Sequence, residues 1–156
     1  VLTNLRQERP NDIIIVVDDG SKDNTYRAAA SVEGVIVARH YVNLGQGAAL
    51  QTGIEIARCL RAEYLVTFDA DGQHDPADIG YFLEVMKKEN LDIALGSRFL
   101  GETNAPLVKR VVLKLSTIFT WLVSRILLTD SHNGFRVIHI AKFPQFEIRQ
   151  NRMAHA

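Results

Sequence analysis

Four apolar, mostly aliphatic and β-branched stretches recur along the chain, at residues 13–17, 35–38, 64–68 and 93–95. Three of them stop abruptly in chemistry-bearing polar residues: Asp18-Asp19-Gly20-Ser21, Asp69-Ala70-Asp71-Gly72 and Gly96-Ser97-Arg98. Runs without alternation belong to strands buried on both faces, as in a parallel sheet. Between them the period changes. Lys22-Asp23-Asn24-Thr25 offers N-cap candidates for a helix over 26–30, and Leu50, Ile54 and Ala57 keep helical spacing in a second helix from Ala48 to about Leu60. A third is expected over 76–89, with His74 and Asp75-Pro76-Ala77-Asp78 at its cap. Strands alternating with helices predict an α/β fold with a mostly parallel central sheet. Ligands of such sheets lie beyond the carboxyl ends of the strands, which gathers Asp18, Asp19, Asp69, Asp71 and Arg98 into one pocket.

The pair Asp69 and Asp71 changes this picture from fold to chemistry. Side chains of an extended chain repeat every second residue, so both carboxylates point the same way where the strand ends. Two like charges there call for a cation. Mg²⁺ or Mn²⁺ takes one or two carboxylates and fills its other positions with water and phosphate oxygens, which suits a diphosphate substrate; Gln73 adds a neutral oxygen. Taken alone, a D-x-D is more often a polar turn after a buried strand. Its neighbours carry the argument.

Composition narrows the rest. The 156 residues are 47% hydrophobic and carry zero formal net charge, which fits one domain with a full core, and no repeat, low-complexity linker or nucleic-acid motif is present. Basic residues concentrate after Thr103, where Asp130 is the one acid before Glu147, an asymmetry suited to phosphates or a membrane face. Residues 107–128 carry Lys109, Arg110, Lys114 and Arg125 and no acid. The basic residues break every apolar run short of a membrane span, so an amphipathic lid or interfacial helix is expected, with packing on the sheet or at a homo-oligomer interface as the plainer alternative. A single Cys59 excludes a disulfide framework and thiolate zinc, and with no signal peptide in view it predicts a cytoplasmic setting.

Five segments, VVDDGSKDNT, NLGQGAALQTGIEIA, LVTFDADGQHDPADI, DIALGSRF and NGFRV, occur in order over about Asn11 to Val137. Together they resemble the successive motifs of family 2 inverting glycosyltransferases of the GT-A (nucleotide-diphospho-sugar transferase, Rossmann-like) fold, nearest the branch of dolichol- and polyprenyl-phosphate mannosyltransferases. The resemblance implies metal-dependent transfer of a sugar, with inversion, from a GDP- or UDP-linked donor to a polyprenyl phosphate at the cytoplasmic face of a membrane. It implies Asp69, Asp71 and Arg98 as catalytic residues, Asp69, Asp71 and Gln73 as metal ligands, and Asp18, Asp19, Gly45, Gln46 and Asp69 as the nucleotide-sugar site, with Asp19 toward the base. Arg98, Lys109, Arg110 and Arg136 would meet the acceptor phosphate. A phosphate acceptor is already a nucleophile and needs cations to hold it, whereas a hydroxyl acceptor needs a base, for which Asp130 is the candidate. Polysaccharide building on a sugar hydroxyl, or a non-catalytic nucleotide-sugar-binding scaffold, are the alternatives. The sequence departs from the family at Gln46, where a basic residue is common, and at His132-Asn133. The family's first strand and its Pro-x-Tyr-Asn-Glu-like segment do not precede Val1, and the chain reads as cut off at both ends, so a donor pocket partly unmade is expected.

Overall fold

The computed structural model describes residues 1–70, 72, 74–96 and 134–152. The first aliphatic run forms β1 (Ile14–Asp18), which pairs in parallel with β2 (Val35–Arg39), Ile14 opposite Val35 and Asp18 opposite Arg39. The crossover between them carries α2 (Thr25–Ala30), where Asp23 Oδ1 accepts the N–H and hydroxyl of Thr25. A second sheet has the order β3 (Leu65–Thr67), β5 (Arg136–Ile138), β4 (Ile93–Leu95). β3 and β4 run the same way, and β5 lies antiparallel between them. The parallel order read from the sequence thus holds for the β1–β2 pair and for the common sense of β3 and β4, while NGFRV contributes a strand of opposite sense between the latter two.

Period-two alternation sends neighbouring residues of the second sheet into two different cores. Val66, Ala94 and Val137 join Leu5 of α1 (Leu2–Glu8), Ile14 of β1, Phe135, and Ile79 and Met86 of α4 (Asp78–Lys88). Leu65 and Ile138 join Ile54 of α3 (Gln46–Cys59) together with Ile140, Phe143, Phe146 and Ile148. Helices α1 and α4 therefore cover one face, and α3 with the C-terminal segment covers the other. Because the first core takes in residues of β1, β2, β3, β4 and β5, the two sheets share one hydrophobic layer.

Two arginines tie this frame together. Arg6 Nη1 donates to the carbonyls of Arg9, Pro10 and Asp12, and Nη2 to that of Gly34, so one guanidinium fixes the end of α1 and the entries to β1 and β2. Arg58 Nη2 donates to Phe143 O at 3.0 Å and Phe146 O at 2.5 Å, while Gln51 Oε1 accepts the N–H of Ile148 at 2.8 Å. These contacts lay the C-terminal segment along α3.

Boundaries moved for local reasons. α3 begins two residues before the expected Ala48 because Gly45, at φ +106, turns the chain sharply into it. α4 begins at Asp78; Asp75 Oδ1 accepts the N–H of Ala77, so residues 75–77 form a turn ahead of the helix, and His74 packs on aromatic rings instead of capping. The segment after Glu147 runs without regular structure through Gln150. The lid segment 107–128 and Asp130 lie outside the described residues, among which no helix is long and apolar enough to cross a membrane.

Candidate functional site

At their carboxyl ends β1 delivers Asp18 and Asp19, β2 Arg39 and His40, and β3 Phe68 and Asp69. β5 runs the other way, so its start, Gly134-Phe135-Arg136, enters at the same edge.

Asp18 is buried, with its side chain wholly out of solvent. Its Oδ1 accepts the N–H of Ser21, and Arg39 Nε lies 3.1 Å from Oδ2 as an ion pair without hydrogen-bond alignment. Arg39 also donates to Ser21 O and stands over the Tyr26 ring. Asp18 is thereby committed to bracing the Gly20-Ser21 turn that presents the next residue.

Asp19 faces the loop before α3. Oδ1 lies 2.7 Å from His40 Nδ1 and accepts the N–H of Leu44 at 2.9 Å; Oδ2 accepts the N–H of Gly45 at 2.7 Å. Burial raises its pKa, but the Leu44 N–H, the His40 ring, the Gly45 N–H and the attraction of His40 outweigh this and hold the carboxyl below its ordinary value. An ionised carboxylate only accepts, so the shared proton resides on His40 Nδ1, and Nε2 meets Thr52 Oγ1 of α3 at 2.9 Å. Neither His40 nor Thr52 was singled out from the sequence. The signal was there: parallel register sets Asp18 beside Arg39, and one step on it sets Asp19 beside His40.

Gly45 and Gln46 open α3, but the anion position at that helix start is filled by the chain itself. The N–H groups of Gly47 and Ala48 donate to Asn151 O at 3.0 and 3.3 Å, and a Cβ on Gly45 or Gly47 would overlap the carbonyls of Asn151 and Gln150. The glycines serve this close approach of backbone to backbone, which satisfies the first turn of the helix.

Asp69 meets the NGFR turn. Its carboxylate lies against Gly134 so closely that a Cβ there would occupy the same volume, and Thr67 Oγ1 donates to Gly134 O at 2.6 Å. His74, just past the D-x-D, packs on Phe68 and Phe135 at 5.8 and 5.7 Å between ring centres. Arg136, opposite Thr67 in the ladder, stands on the same short sheet. Asp71, Gln73, Arg98, Lys109 and Arg110 lie outside the described residues. Among the described residues no group of three or more potential ligands gathers, and Asp69 is the one expected ligand in place. Its donor chemistry, a carboxylate oxygen with no ion pair to it among the described residues, fits a hard divalent ion that takes few protein ligands.

The family model described as "Glycosyl transferase family 2" matches residues 1–145, and the chain belongs to that family, whose domain has the GT-A fold. An uncharacterized protein of Methanocaldococcus jannaschii is 43% identical over 138 residues, covering 86% of this chain and 56% of that protein. The UDP-N-acetylglucosamine–dolichyl-phosphate N-acetylglucosaminyltransferase of Methanococcus voltae is 37% identical over 155 residues, covering 87% of this chain and 61% of the enzyme. The polyprenol monophosphomannose synthase of Mycolicibacterium smegmatis is 31% identical over 135 residues, covering 81% and 51%. The chain thus spans between about half and three fifths of the length of these relatives.

Proposed function

We propose that the protein transfers a sugar, with inversion, from a nucleotide-diphospho-sugar to a polyprenyl phosphate. The observation that carries this reading is the packing of Asp69 on Gly134, which joins the strand of the D-x-D to the NGFR turn in one place. Relatives named for dolichyl-phosphate and polyprenol substrates support the acceptor class.

In this reading Asp19 receives the donor's base, held by His40 and the Leu44 and Gly45 amides, while Asp18 keeps the Gly20-Ser21 turn in shape behind it. Asp69 and Asp71, with Gln73, hold Mg²⁺ or Mn²⁺, which when bound offsets the negative charge that develops on the leaving diphosphate. The acceptor phosphate needs no proton removed. Arg98, Lys109, Arg110 and Arg136 draw it toward the sugar's open face against the repulsion of the donor phosphates, a matter of placement and charge. Contact with the cytoplasmic face of a membrane follows from an acceptor anchored in lipid.

Calorimetric titration of UDP and GDP with Mn²⁺ and then with chelator tests the donor site. Metal-dependent binding that Asp71→Ala abolishes is the expected result. Binding indifferent to both chelator and Asp71→Ala would instead favour a scaffold that recognises nucleotide without turnover.

A further inference from the structure

We infer that the base read by Asp19 is of the uracil type, presenting a single imide N–H, and is not guanine. This rests on the donor-site reading above and follows from the hydrogen bonds that one carboxylate already accepts.

Each carboxylate oxygen accepts about two hydrogen bonds. Oδ1 of Asp19 has both of its positions taken, by His40 Nδ1 at 2.7 Å and the Leu44 N–H at 2.9 Å. Among the described residues Oδ2 takes only the Gly45 N–H at 2.7 Å, which leaves it one position. The side chain remains 16% exposed, so the carboxylate is not sealed from solvent. The His40 position is not easily vacated. His40 is tethered through Nε2 to Thr52 on α3, and the two amides sit on the turn into the same helix.

Guanine offers N1–H and an N2 amino hydrogen side by side, and a carboxylate matches them with one oxygen each. At Asp19 the second hydrogen would have to displace His40, leaving its donor unpaired at a part-buried site, or compete with the exposed Leu44 amide, or go unpaired itself. Uracil and thymine offer N3–H alone and fit the single open position. Cytosine sets a bare ring nitrogen beside its amino group, which would face the carboxylate lone pair to lone pair. His40 and Thr52 thereby act as positioning residues for base choice.

The test is titration of UDP, dTDP, CDP and GDP, each with Mn²⁺. UDP and dTDP should bind tighter than GDP and CDP by about tenfold or more, the scale of one unpaired polar group. GDP binding as tightly as UDP, or tighter, overturns the inference and leaves the transferase reading standing; no binding by any of the four overturns both. His40→Leu, which unloads Oδ1, should narrow the UDP-to-GDP ratio, and His40→Asn, which restores a donor near the Nδ1 place, should recover it. Thr52→Val, a milder change that keeps α3 intact, should narrow the ratio in the same direction. A ratio unmoved in every folded variant places base choice elsewhere and overturns the inference.

Discussion

Asp69 and Gly134 come from segments far apart in the chain, yet a methyl group cannot be added to one without displacing the carboxylate of the other. Gly134→Ala should therefore lower kcat by about a hundredfold, the scale of an ångström's misplacement of a reacting group. The cost in stability should be about 1–3 kcal/mol for overpacking. Steady-state kinetics beside denaturant unfolding separates the two effects. Asp19 supplies a pH signature. Its folded pKa lies below the unfolded one, so its stabilisation is fully present above about pH 4 and is lost as pH falls through the folded value. The Tm difference between the native chain and Asp19→Asn should be largest near neutrality and shrink as pH falls below the ordinary carboxylate range, in thermal melts from neutral to acid. Asp18, Asp19 and Asp69 were legible as strand-end acids because each follows an apolar run. Thr52 was not, since a threonine inside a helix carries no mark until its partner across the sheet edge is known.

Among the elements, β1 and β2 were readable because each is built on an aliphatic run, and α3 because Leu50, Ile54 and Ala57 keep helical spacing. β5 was not, because three residues, Arg136–Ile138, are too few to show a period and their sense is set by partners far away in sequence. The start of α3 was misplaced for a related reason. Glycine-rich sequence reads as loop, but Asn151 supplies the carbonyl that lets the helix begin at Gln46. The clamp at Arg6 gives the sharpest test at this scale. Arg6→Leu leaves the carbonyls of Asp12 and Gly34 without their donor and should cost about 1.5–3 kcal/mol, the range for hydrogen bonds to a charged group. Equilibrium urea unfolding should show a lower midpoint with an unchanged slope.

For the molecule as a whole, the C-terminal segment is part of the fold and not an appendage. It brings Phe146 and Ile148 to the second core and Asn151 O to the start of α3. Ending the chain after Phe146 should cost about 2–4 kcal/mol from lost apolar burial and the lost helix cap, seen as a lower Tm by calorimetry. The hydrogen bond from Gly96 N–H to Phe135 O, 2.9 Å long, has a different bearing. It fastens together the two ends from which residues 97–133 depart and to which they return, at the same edge as Asp69. Doubling the length of a stretch closed in this way adds roughly 0.6 kcal/mol of closure entropy. Natural selection can thus change the length of the sequence between those two residues at little cost, while the edge that carries Asp69 is inherited unaltered.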